Sequence, residues 1–317
     1  MKIQPQKFHL RPEFAFLMFA LLLGARDVGA ELIFKQTVVE VALCFTFLIC
    51  LTITVISFII IVAHAGLSEL LKKIWNRRVF PRVIIVGISA AIVYAVTFYM
   101  IHGIGAGYFD LFDYGLAPIL TAAIGILFFG NILTKRLLLA VLAYIAGIFL
   151  LFWHGTRGWA WMGLALLSPL GTAVSDATTK WLLSPENGNL SRSDLLFVRF
   201  LPATVLIGLG IIVGGGEIHV HDALQSIPLA VICGFLPLWF LCTGLGQSAL
   251  TKYAVWEFLI PAVAFFATLP IRPQNLTLNS TFGAIVILLA VVIHELKWPR
   301  SFRFSKQPAM PVVESGG

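Results

Sequence analysis

Apolar positions run in long blocks along this chain, without the strict alternation of a half-buried strand. Val41 to Ala63 contains no charged residue, and neither does Val83 to Ile101. A helix that crosses a bilayer needs about 20 apolar residues. The blocks predict ten helices, at approximately Phe14–Lys35, Val38–Ala63, Arg82–His102, Gly107–Phe129, Leu133–Trp153, Trp159–Leu183, Asp194–Val213, Leu224–Gly246, Ala249–Ile271 and Leu278–Leu296. The ninth and tenth are the weakest, because Pro270, Pro273 and the polar stretch from Asn275 to Ser280 shorten their apolar runs. The expected fold class is an all-α integral membrane protein with ten transmembrane helices.

Composition agrees with that pattern. The chain has 317 residues, 59% hydrophobic and 12% charged. Soluble domains carry about 25% charge, so half the usual charge is present to cover a water-facing surface. Cys44, Cys50, Cys233 and Cys242 lie in apolar runs and form no CxxC pair, which points to no disulfide framework or zinc site. The first helix follows a basic stretch but contains Arg26 and Asp27 and lacks a clear small-residue cleavage site. It is expected to be a retained span rather than a cleaved signal peptide.

The basic residues set the orientation. With the N-terminus inside, inner segments hold sixteen Lys and Arg residues, including Lys72, Lys73, Arg77, Arg78 and Arg82 in one loop. Outer segments hold three: Lys35, Arg157 and Arg272. This asymmetry favours both termini inside (N-in/C-in). It also accounts for the net charge of +7 without a nucleic-acid partner, because the excess lies along the inner membrane face.

The two halves of the chain resemble each other. Leu116-Ala117-Pro118 recurs as Leu259-Ile260-Pro261, 143 residues later. At the same offset Leu133-Thr134 falls on Leu276-Thr277 and Gly103 on Gly246. Near the start of each half the offset is 145, and Glu31 and Lys35 fall on Asp176 and Lys180. Five helices per copy is an odd number, so the second copy enters the membrane from the opposite side. Two inverted five-helix repeats (5+5) are an architecture of secondary transporters. The expected organisation is an N-terminal segment 1–13, repeats at 14–153 and 159–296, and a tail at 297–317, with both end segments cytoplasmic.

With these features the chain resembles the drug/metabolite transporter superfamily, in particular its EamA-like ten-helix branch. The residues that carry the resemblance are Gly107–Phe152, with Leu116-Ala117-Pro118, Phe129-Gly130-Asn131-Ile132-Leu133-Thr134 and Gly147, and the run Leu195-Leu196-Phe197-Val198-Arg199-Phe200. The family often has Glu where Asn131 and Gln274 stand here, and this chain has Cys44 nearest the place in helix 2 that corresponds to Arg199. The resemblance implies a 5+5 bundle, a central cavity, and export or exchange of small metabolites by alternating access. It does not identify the solute.

Charged residues inside spans are the candidates for a translocation site, because a charge at the bilayer centre costs about 2.5–3.5 kcal/mol on insertion scales. Helix 1 offers Arg26, Asp27 and Glu31, and Asp27, Glu31 and Lys35 share one face. Helix 6 repeats part of the stripe with Thr172, Asp176 and Lys180. The stripe is either a polar wall of the path, or intrahelical pairs (Glu31 with Lys35, Asp176 with Lys180) whose lysines snorkel to the interface. Asp110 and Asp113 lie one turn apart in helix 4, beside Tyr114. They would bind a proton, a metal ion or a cationic group, unless the helix starts later and both lie in outer water. Lys252, Trp256 and Glu257 occupy the corresponding turns of helix 9, with Lys252 near the inner surface. Arg199 would hold an anion or, more economically, pair with a carboxylate from another helix. Tyr94, Tyr99 and Trp239 are further candidates to line a cavity, and Pro118 and Pro261 are candidates to bend their helices.

The function expected from these features is secondary transport of a small metabolite or drug-like solute by alternating access. The alternative is a membrane-embedded enzyme or flippase acting on a lipid-linked substrate. Asp110-x-x-Asp113 is a single short acidic pair where intramembrane prenyltransferases need two, and His219 and His221 form a lone outer-loop pair. No catalytic residue, cofactor or metal site is expected. The expected partners are the lipid bilayer and a small-molecule substrate, with proton coupling and a homodimer left open. The expected location is the plasma membrane, or the inner membrane of a Gram-negative bacterium.

Overall fold

The computed structural model describes residues 10–34, 39–64, 66–104, 106–152, 166–214, 227–228, 230–268 and 278–295. Among them every regular element is helical, and there is no strand. In chain order these are α1 (Pro12–Phe34), α2 (Val39–His64), α3 (Leu67–Ile74), α4 (Phe80–Ile104), α5 (Ala106–Phe129), α6 (Lys135–Phe152), α7 (Leu167–Leu183) and α8 (Arg192–Val213). A π-helical turn (Val231–Phe235) then runs into α9 (Leu236–Gln247), followed by α10 (Leu250–Glu257), α11 (Leu259–Thr268) and α12 (Leu278–Glu295).

Among the described residues three helices are long and apolar enough to cross a membrane: Leu43–His64, Phe80–Ile101 and Arg192–Val213. Asp113–Phe129 and Thr281–Ile293 are shorter apolar stretches. The distribution of side chains is also compatible with a bilayer. Large apolar groups face outward, as at Ile59, Val62, Leu127, Phe128, Ile212 and Val213, while several charged groups are buried. A water-soluble fold places its charges the other way round.

Each departure from the sequence reading has a local cause. The loop after helix 2 contains the short helix α3, whose Leu70 is buried while Lys72 and Lys73 follow in its last turn. This arrangement suits an amphipathic segment lying along a basic surface. The ninth helix is broken at Phe258 into α10 and α11. Pro261 has no N–H to offer the carbonyl of Glu257, four residues earlier, so regular bonding ends there. Phe258 instead donates its N–H to the carbonyl of Val255 at 3.2 Å. Pro118, by contrast, sits inside an uninterrupted α5. The first part of the sixth helix, the loop with His219 and His221, and the segments 1–9 and 296–317 lie outside the described residues.

Packing joins elements distant in sequence. α2 lies along α8, and α6 along α12. α4 contacts α7 and α8, α1 contacts α9 and α11, and α5 contacts α7, α10 and α11. Small residues allow the close crossings: a Cβ on Gly147 would lie 2.7 Å from Ile287, and one on Gly244 would collide with the ring of Phe16. Thr54 and Thr204 add an interhelical hydroxyl contact of 3.2 Å between α2 and α8.

Candidate functional site

The residues of the site come from α1, α4, α5, α7, α8 and α10. Seven charged side chains deep in these helices are buried: Arg26, Asp27, Asp110, Asp113, Asp176, Arg199 and Glu257. Two are guanidinium groups and five are carboxyls. Asp194 is buried too, but at the start of α8. There it forms a capping box with Ser191 and meets Lys73 at 3.3 Å, which is a structural role.

The first group of residues centres on α1 and α5. The Nε–H of Arg26 donates to Asp27 Oδ1 at 2.6 Å, and its Nη1 lies 3.4 Å from the hydroxyl of Tyr94 on α4. The guanidinium also sits 5.5 Å from the ring centres of Tyr94 and Phe98. Asp110 faces Asp27 and Asp113. Asp110 and Asp27 face each other as a carboxyl pair within hydrogen-bond reach, and Asp113 is within reach of the Ser168 hydroxyl. Tyr114 is buried beside this group. The helix therefore starts early enough to enclose both aspartates, and the outer-water alternative for Asp110 and Asp113 does not describe this structure.

The second group spans α7, α8 and α10. Arg199 Nη1 lies 3.5 Å from Asp176 Oδ1. The hydroxyl of Tyr253 lies 2.9 Å from Asp176 Oδ2 and 2.8 Å from Glu257 Oε1. Glu257 Oε2 is buried without a partner. Asp113 lies close enough to both Glu257 and Asp176 to interact with them electrostatically, which links the two groups.

The remaining sequence candidates divide clearly. Asp176 does not pair with Lys180, four residues on. Lys180 donates to the carbonyl of Leu245 at 2.6 Å instead, while Asp176 turns to Arg199 and Tyr253. Lys252 pairs with Glu13 in the first turn of α1 and takes no part in the cluster. Trp256 is half-buried and packs against the apolar core. The side chain of Glu31, and Lys35 altogether, lie outside the described residues, so the Glu31–Lys35 alternative does too. Pro261 lies four residues after Glu257, so the helix break falls at the cluster. Sequence reasoning missed Tyr253. The signal was its position one helical turn before Glu257, which places both on one face. It also missed Tyr144 on α6, buried and stacked on Phe258 at 3.9 Å.

Chemically, the arrangement is an enclosed set of acids and phenols that, among the described residues, has two guanidinium groups for five carboxyls. Among the described residues no group of three or more His, Cys, Asp and Glu side chains is placed to hold a metal ion. Such a cluster can exchange protons or receive a cationic group. No family model matches the chain, and no curated protein matches it. Solved structures do match in fold. One, described only as a crystal structure of a protein, superposes with a TM-score of 0.67 over 90% of this chain and 95% of its own, at 14% identity.

Proposed function

We propose that this protein is a secondary transporter that moves a small metabolite or drug-like solute by alternating access, by export or exchange. The observation that carries the reading is the buried cluster of five carboxyls and two guanidinium groups inside an all-helical bundle with an apolar exterior. Intramembrane charges of this kind mark substrate and ion paths. With two cations for five acids, the cluster is expected to take up protons or a cationic group as counter-charge.

The ten-helix 5+5 architecture, N-in/C-in, belongs to the same proposal. The helix contacts support it: exchanging the two halves turns the α4–α7 contact into α9–α1, and the α5–α7 contact into α11–α1. The pairings α2–α8 and α6–α12 map onto themselves. A two-fold relation between inverted repeats would produce this pattern. In this reading the chain is an EamA-like member of the drug/metabolite transporter superfamily in the plasma membrane, or in the inner membrane of a Gram-negative cell.

The test is flux. Purified protein in sealed vesicles should exchange a labelled solute from a broad metabolite panel. Absence of flux across the panel, together with chemical change of a lipid-linked substrate, would replace transport with enzymatic action. If the first acid group couples transport to protons, solute-driven proton movement should disappear in Asp110→Asn or Asp113→Asn. Unchanged coupling in both removes them from that role.

A further inference from the structure

The second group contains a hydrogen-bonding problem with one solution. A phenol has a single hydrogen to donate. Tyr253 nevertheless lies within hydrogen-bond distance of two carboxyl oxygens, 2.9 Å from Asp176 and 2.8 Å from Glu257. Two ionised carboxylates would leave one of these contacts as lone pair against lone pair, which is costly in a buried site. Both contacts are hydrogen bonds only if one carboxyl carries a proton and donates it to the phenol oxygen. Asp176 has the guanidinium of Arg199 at 3.5 Å to balance its charge. Among the described residues no cation forms an ion pair with Glu257. The titratable groups facing it are Tyr253 on its own helix, Asp176 on α7, Asp113 on α5 and Tyr144 on α6. On α1, Arg26 is bound to Asp27.

We infer that Glu257 is a proton-binding site, holding its proton as a neutral acid that donates to Tyr253, which in turn donates to Asp176. The chain of bonds is also a relay. When Arg199 moves away from Asp176, Glu257 can pass its proton to the phenol oxygen while the phenol hydrogen moves to Asp176. Glu257 is then charged, Asp176 is neutral and Tyr253 is unchanged, so the protons balance. The helix break at Phe258 directly follows Glu257 and gives this residue a place to move. The proton site would serve coupling in the transporter proposed above, and it rests on that reading only for its use.

The experiment needs no solute. Infrared spectra of the full chain in detergent micelles, near neutral pH, should contain a protonated-carboxyl stretch that shifts in heavy water and is lost in Glu257→Gln. Tyr253→Phe should keep the band and move it to higher frequency, because the acid loses its acceptor. Loss of the band in Asp176→Asn but not in Glu257→Gln would overturn the assignment, as would an identical spectrum in Glu257→Gln. Should Glu257→Gln fail to fold, Tyr253→Phe decides alone, and an unmoved band refutes the inference. A band that behaves as expected in a protein with no flux would leave the proton site standing and remove the transport reading.

Discussion

The two ends of the buried cluster handle the same difficulty, acids in an apolar interior, in different ways. Around α1 and α5 the ion pair is local, formed by the neighbours Arg26 and Asp27, and Asp110 faces Asp27 beside it, carboxyl to carboxyl. Around α7, α8 and α10 the contacts join three helices, and Tyr253 links two acids. At the 143-residue offset Asp110 falls on Tyr253 and Tyr114 on Glu257, so the two halves place an acid and a phenol one turn apart in opposite order. The difference teaches that the first end brings two carboxyls together beside one local cation, a pair suited to share a proton or receive a cationic group. The second shares its acids among three helices through Tyr253 and Arg199, while Glu257 Oε2 stays without a partner.

The largest expected effect tests the local pair. Arg26→Met leaves Asp27 without its cation and with Asp110 alongside, and should destabilise the protein by about 3–5 kcal/mol. Thermal unfolding in detergent measures it. The double variant Arg26→Met/Asp27→Leu should recover most of that loss, and failure to recover would show that Arg26 balances the wider acid group.

Arg199→Met should follow at about 3 kcal/mol, at the lower end because Tyr253 still reaches Asp176. A loss exceeding that of Arg26→Met would reverse the contrast.

The sharpest discrimination lies in sign. Asp110→Asn replaces a buried carboxyl beside Asp27 with a neutral amide that can donate to it, and should leave stability unchanged or raise it. Tyr253→Phe leaves two acids without their shared partner and should lower stability by about 1–3 kcal/mol. If both variants lower the unfolding temperature equally, the two ends do not differ in how they hold their acids.

The smallest effect belongs to the pair outside the cluster. Lys252→Gln breaks the partly exposed contact with Glu13. It should cost no more than about 1 kcal/mol and leave any proton-coupled flux intact. A large loss of flux would bring Lys252 into the site.

Much of this was legible along the chain. Asp27, Asp110, Asp176, Arg199 and Glu257 stand out because charges are rare in long apolar runs, and each proved to be buried. The partner of Asp176 was not legible. Lys180 lies at an ideal helical spacing, yet Lys180 meets a backbone carbonyl of α9 and Asp176 meets Arg199 of α8. Spacing along one helix cannot anticipate what a neighbouring helix presents. Nor was the break at Phe258 legible, because two prolines at matching positions, Pro118 and Pro261, have different outcomes.

The sequence alone determined the helical class, the apolar exterior and the set of charged residues that need partners, because these follow from composition and from the cost of isolated charge. The tertiary structure alone decided which charges meet. Counted along the chain, the intramembrane charges look nearly balanced. Packing diverts Lys180 to a carbonyl and Lys252 to Glu13, and leaves five carboxyls with two guanidinium groups in the interior. Electrostatic energy in an apolar medium depends on distance between groups, and only the fold sets those distances.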